Sequence, residues 1–182
     1  MTETKRFATP FAIFRAAAAK DYEAAEVMTP APGAEFDGEA AAAAVETGML
    51  EGASVRLLFE RPGMSLTHAW FKSGFPLPRH SHDADCLYFV LAGSLRIGVE
   101  ELSAGDGFFV GADVPYAYTP GPEGVEVLEF RTADRFDIRV LAKNPAFWAK
   151  AVETVSAKRE AWRDEPPPSG RTIGAPARTP PS

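Results

Sequence analysis

Gly74-Phe-Pro-Leu-Pro-Arg-His80-Ser-His82-Asp-Ala-Asp-Cys86-Leu-Tyr-Phe-Val-Leu-Ala-Gly93 is the stretch on which the reading of this chain turns. Side chains alternate between faces along an extended backbone, so His80 and His82, two apart, project together. The same parity carries Cys86, Tyr88 and Val90 to that face if the turn between the segments keeps register. The chain has three histidines, and two of them stand here. Paired imidazoles suit Zn, Fe, Cu, Ni or Mn. The plainer reading is a pair of exposed loop histidines, since they come after Pro76, Pro78 and Arg79.

Outward from this stretch, short apolar runs alternate with turn signals. Ala53–Glu60 and Met64–Phe71 are joined by Arg61-Pro62-Gly63. Cys86–Leu91, Leu95–Val99, Phe108–Val110, Val125–Arg131 and Phe136–Leu141 come next. They are punctuated by Gly93-Ser94, Gly105-Asp106-Gly107 and Pro120-Gly121-Pro122, which are turn-forming combinations. Many short runs with no helix between them predict an all-β sandwich or barrel. A small barrel encloses about one ligand-sized space.

The ends read differently. Residues 1–50 form an arm of mixed character. Alanine runs at 16–19 and 40–44 favour helix, while Gly33, Gly38, Gly48, Pro30 and Pro32 cut the arm into short pieces. The barrel is expected over residues 51–142. Asn144-Pro145 pairs a capping residue with proline at the first helical position. Phe147, Trp148, Ala151, Val152 and Val155 then recur at helical spacing through Trp162. This predicts one amphipathic helix over about 145–163, within a segment 143–164, packed on the domain or on a partner. Residues 165–182 are rich in Pro, Gly and Ser and have almost nothing apolar to bury, so a disordered tail is expected.

Composition bounds the function. A chain of 182 residues, 46% hydrophobic and 24% charged, fits one soluble globular domain with some chain left over. A net charge of −6 leaves no basic footprint for nucleic acid or an anionic membrane. The single cysteine excludes an intrachain disulfide framework and a multi-cysteine zinc site. No apolar stretch approaches the roughly 20 residues a membrane helix needs. Pro10 and Arg15 interrupt the residues after Lys5 and Arg6, so no secretory leader is expected and the expected location is cytoplasmic. Phosphate loops, dinucleotide fingerprints and Ser-His-Asp patterns are absent.

The opening stretch resembles the first motif of the cupin superfamily: G, five residues, H-x-H, three or four residues, E, six residues, G. Every spacing fits, with Cys86 in place of the glutamate. Gly105-Asp-Gly-Phe-Phe-Val-Gly111-Ala-Asp113-Val-Pro115-Tyr116 is similar to the second motif, G, five residues, P-x-G, two residues, H. Gly111, Asp113 and Tyr116 stand where that motif has proline, glycine and histidine. The resemblance covers about residues 50–132. It implies a double-stranded β-helix, or jelly-roll barrel, often dimeric, with a divalent metal near one mouth; the N-terminal arm and the one C-terminal α-helix read above flank it.

Carried over position by position, the family's cage of three histidines and a glutamate becomes His80, His82, Cys86 and Tyr116. His82-Asp-Ala-Asp-Cys86 is also similar to the cupin thiol dioxygenases, where the cysteine sits beside iron held by three histidines. Three completions of the site stand open. Cys86 ligates as thiolate, Tyr116 ligates as phenolate, or His68 serves as an alternative third ligand from the preceding strand.

Tyr88, Tyr116 and Tyr118 are the candidate catalytic groups, and Trp70, Tyr88, Phe109, Arg56 and Arg96 the candidate substrate contacts. The two arginines suit a carboxylate. Phe89 and Phe108 add aromatic mass near the presumed mouth. The leading expectation is a metal-dependent, dioxygenase-type oxidoreductase using Fe, Zn, Mn or Ni on a small organic substrate. The alternatives are a non-catalytic binding or sensor barrel, and a metal-independent sugar isomerase or epimerase with a histidine paired to Asp83 or Asp85. The arm and the Trp-bearing helix offer apolar surface, so a homodimer is expected.

Overall fold

The structure, a computed structural model, describes residues 11–32 and 38–174. Expectations for residues 1–10, 33–37 and 175–182 lie outside the described residues. The strands are β1 Lys20–Asp21, β2 Met28–Pro30, β3 Ala53–Arg61, β4 Met64–Phe71, β5 His80–Ser81, β6 Cys86–Ile97, β7 Glu100–Ser103, β8 Gly107–Val110, β9 Thr119–Arg131 and β10 Phe136–Val140. Two helices, α1 Glu39–Glu46 and α2 Pro145–Asp164, accompany them.

Seven strands form one sheet in the order β1-β3-β4-β9-β6-β7, with β8 also paired to β6. A second sheet has the order β2-β10-β5. All pairs are antiparallel except β2 with β10. An antiparallel bridge between His80 and Tyr116 ties the 74–81 segment to the chain entering β9. The expected jelly-roll, with its single C-terminal helix, is what the chain forms.

The two runs read as Cys86–Leu91 and Leu95–Val99 are one strand, β6, and its register against β9 shifts on both sides of Gly93. Gly93 has φ +72°, and a Cβ there would meet the Gly124 carbonyl at 2.2 Å. Only glycine allows that close approach.

Asn144 caps α2 by accepting from the Ala146 amide at 2.9 Å. The buried stripe Trp148, Ala151, Val155 and Trp162 then faces this chain's own barrel and α1, not a partner. Trp148 donates to the Ala142 carbonyl at 2.7 Å and Trp162 to the Ser73 carbonyl at 3.1 Å.

Residues 165–174 correct the expectation of a disordered tail starting at 165. Both carboxylate oxygens of Glu165 accept from Ser73, at 2.7 Å each. The Ser169 amide donates to Glu126 at 2.6 Å, and the Gly174 amide to the Ala16 carbonyl at 2.9 Å. Specific polar contacts to the barrel hold a segment that has little apolar surface to bury. The arm at its other end supplies edge strands β1 and β2, while its first alanine run makes only a short 3-10 turn at Ala16–Ala18. Among the described residues no helix is long and apolar enough to cross a membrane.

Trp162 is fully buried against Phe75 and Gly52. Trp162→Ala is expected to cost about 3–5 kcal/mol of stability, measured as a lower midpoint in urea unfolding.

Candidate functional site

Register decides which side chains face the barrel interior. Cys86, Tyr88 and Val90 of β6 stand opposite Arg131, Glu129 and Val127 of β9. Those in turn stand opposite Ser65, Thr67 and Ala69 of β4. All nine are buried. His80, His82, Tyr116 and Tyr118 are buried too. The parity expected for His80, His82, Cys86 and Tyr88 therefore holds across the turn at 83–85. Asp113 adopts φ +61° where the motif has glycine, and aspartate tolerates this left-handed conformation. Its amide donates to the His82 carbonyl at 2.6 Å, which locks the Tyr116 loop against the histidine segment.

The polar groups form a directed chain. His80 Nδ1 lies 2.7 Å from the Pro78 carbonyl oxygen. A carbonyl only accepts, so Nδ1 carries the hydrogen, and Nε2 of the neutral ring is an acceptor. Tyr116 therefore donates to His80 Nε2, at 2.9 Å. Its hydroxyl oxygen accepts from Tyr88, with which it makes a short contact. Tyr88 accepts from Arg131 Nη2 at 3.1 Å, and Arg131 is paired with Glu129. His82 repeats the tether, with Nδ1 donating to the Asp137 carbonyl at 2.7 Å. Its ring lies 5.0 Å from that of His80, edge to face.

Burial sets the charge states. It pushes the Cys86 thiol up to about 12 and raises Tyr88, Tyr116 and Tyr118 above the ordinary phenol value. It lowers His80, and it lowers His82 to about 3 with help from the Arg131 charge and from His80. Burial works against the Arg131 charge, yet Glu129 and its other neighbours outweigh it and hold the guanidinium ionised.

These residues do not fit a divalent metal as they stand. Among the described residues no three His, Cys, Asp or Glu side chains gather into a metal-holding group. His80 Nε2 is already taken by Tyr116. The third ligand would have to be Tyr116 as phenolate or Cys86 as thiolate, and the Tyr116 hydroxyl is already engaged by His80 and Tyr88. Arg131 adds a cation opposite Cys86.

Other expected site residues lie elsewhere. His68 and Trp70 have the opposite parity on β4 and face outward, away from His80. His68 pairs there with Glu126 at 3.0 Å. Arg56, directly across from His68 on β3, bonds Asp21 at 3.0 Å. Phe109 faces outward beside Leu87 and is exposed, whereas Phe108 stacks on Tyr88 at 4.4 Å. Asp83 and Asp85 are not partners of the histidines. They accept from the backbone amides of Asp137 at 2.7 Å and Ala112 at 2.8 Å.

Glu129 and Arg131 are interior residues that sequence reasoning does not single out. A signal for them exists, since charges two apart on a strand share a face, but one-sided alternation looks the same whichever side is inside.

Arg96 lines a cleft of about 380 Å³ with Phe75, Leu77, Tyr118, Thr119 and Phe147. Among the described residues its guanidinium has no ion-pair partner. Tyr118 lines this cleft, and its ring stacks 6.5 Å from that of Tyr116.

No family model and no curated protein matches this chain. Similar solved structures include an RmlC-like cupin from Shewanella frigidimarina, at 21% identity over 45% of this chain and 77% of that one, TM-score 0.42. Another is the polyketide cyclase RemF from Streptomyces resistomycificus, at 18% identity over 57% and 84%, TM-score 0.48. A salicylate dioxygenase from Pseudoaminobacter salicylatoxidans, in complex with gentisate, is 15% identical over 56% and 35%, TM-score 0.45. These likenesses are ones of fold. The cupin-type fold of this chain rests on its own motif spacing and strand order.

His82 titrates at about 3 instead of 6.5, so between these values the unfolded chain takes up a proton that the folded chain refuses. Stability is then full above pH 6.5 and falls toward pH 3, by up to about 1.4 kcal/mol per pH unit. His80 acts in the same direction. Urea unfolding at pH 7 and pH 4.5 is expected to show this loss, and His82→Gln is expected to reduce it.

Proposed function

We propose that the barrel binds a small organic acid and moves a proton on it through Tyr116 and His80, without a bound divalent metal. The observation that carries this reading is the one-way chain from Arg131 through Tyr88 and Tyr116 to His80 Nε2. As Tyr116 passes its proton to His80, its oxygen takes a proton from an acidic C–H of the ligand. The Pro78 carbonyl steadies the imidazolium at Nδ1. The hydrogen bond from Tyr88, itself held by Arg131, steadies the Tyr116 oxygen during the transfer. Returning the proton to the ligand at a different face or position gives an isomerase- or epimerase-type reaction. The cleft beside Tyr118 is the entry for the ligand, with Arg96 as partner for its carboxylate.

The other reading is dioxygenase-type oxidation at Fe, Zn, Mn or Ni held by His80 and His82. It is favoured by the two Nδ1 tethers, which orient both rings in the way that backbone carbonyls orient metal-bound imidazoles. It requires Tyr116 to leave its hydrogen bond to His80, or Cys86 to turn to the ion, as third ligand.

One experiment separates them. Protein treated with EDTA is incubated in D2O with a panel of hydroxy acids, keto acids and uronic acids, and C–H signals are followed by proton NMR. Exchange is expected with at least one compound, and Tyr116→Phe is expected to slow it by about 10²–10⁴-fold. Exchange that appears only after Fe(II), Zn, Mn or Ni is added, or none with any compound, overturns the proposal.

A further inference from the structure

We propose that the cleft beside Arg96 takes a carboxylic acid with a flat, apolar body and rejects a polyhydroxylated one. This rests on the reading above that the ligand enters here, and it sets the ligand's class.

Charge is one constraint. Arg96 is the sole charged residue lining the cleft. Glu101 stands directly across from it on β7, and opposite charges so placed on one face of a sheet attract. Yet among the described residues no ion pair joins the two. The guanidinium lines the cleft instead, and its planar fork matches one carboxylate through two parallel N–H···O bonds. A ligand with a second anionic group finds no second cation in this wall.

Shape is the other constraint. Phe75 and Leu77 come from the loop before His80, Tyr118 from the chain entering β9, and Phe147 from the first turn of α2. Phe147 belongs to a helix outside the barrel, so the strands alone do not make this wall. Phe71 packs against both Phe75, at 5.1 Å, and Tyr118, at 5.9 Å, and Phe147 packs edge to face on Trp148 at 5.0 Å. The rings are therefore held in place from behind, and their flat apolar walls suit a planar body. Besides Arg96, only Tyr118 and Thr119 bring a polar side chain. A sugar acid carries a hydroxyl on nearly every carbon. Most of these would lose water here and gain no partner, which weakens binding.

Isothermal titration calorimetry of the full chain, after EDTA treatment, tests this with phenylpyruvate, pyruvate and galacturonate. Phenylpyruvate is expected to bind with a dissociation constant below about 1 mM, and about 10-fold or more tighter than either of the others. Arg96→Gln is expected to weaken it about 10- to 100-fold. Phe147→Leu, which keeps an apolar side chain and loses the ring, is expected to weaken it about 3- to 10-fold. Lys150→Gln, which removes a cation from an exposed part of α2, is expected to leave it unchanged. Pyruvate or galacturonate binding as tightly as phenylpyruvate overturns the proposal. So does phenylpyruvate binding that neither Arg96→Gln nor Phe147→Leu weakens, that Lys150→Gln weakens equally, or that is absent at about 10 mM. Calorimetry reads binding without proton exchange. Phenylpyruvate that binds and exchanges no proton upholds this ligand class and counts against proton transfer; exchange confined to uronic acids does the reverse.

Discussion

A guanidinium inside a barrel of this size has to be neutralised from within. Arg131 is 2% exposed, and a buried charge left without a partner costs several kcal/mol. Glu129 supplies the opposite charge from the same face of the same strand, two residues earlier. With that pair in place, the second guanidinium nitrogen is free to donate to Tyr88, and this donation sets the order of donors and acceptors beyond it. Burial holds the phenols and imidazoles around the pair in neutral form.

Backbone carbonyls complete the arrangement at its far end. Pro78 and Asp137 each take a histidine Nδ1 hydrogen, so the tautomers are set by main chain and not by a titrating partner. Asp83 and Asp85, the carboxylates nearest in sequence, instead hold the amides of Asp137 and Ala112. They bind the loops to one another, and the loops present the rings. Charged residues close to histidines in sequence thus serve as scaffold, while those that share the interior, Glu129 and Arg131, come from more than forty positions away along the chain.

The alternating pattern was legible over most of the barrel. Residues 80, 82, 86, 88 and 90 share one face as their parity requires. His68, Trp70, Arg56 and Phe109 show where parity alone runs out. Each sits on a real strand with a chemically suitable side chain, yet each faces outward. A period of two states which residues go together and leaves open which set is inside. The answer for β4 lies in its pairing with β9, where Thr67 meets Glu129 and His68 meets Leu128. The segment after Glu165 shows a related limit. Its composition reads as disordered because it buries little apolar surface, and its order comes from hydrogen bonds to Ser73, Glu126 and Ala16, residues far from it in sequence.

The order of short strands, the spacing of the two glycine-bounded motifs, the capped helix after Asn144 and the pairing of His80 with His82 were all decided locally. Each depends on backbone conformation and on the period of a few neighbouring residues, and both are written in the chain. The content of the interior was decided only by folding. Whether two imidazoles meet a metal or a tyrosine, and whether a strand's outer face meets solvent, its own C-terminal segment or another chain, depends on which distant residues arrive beside them. That is a property of register and packing, and no local rule carries it.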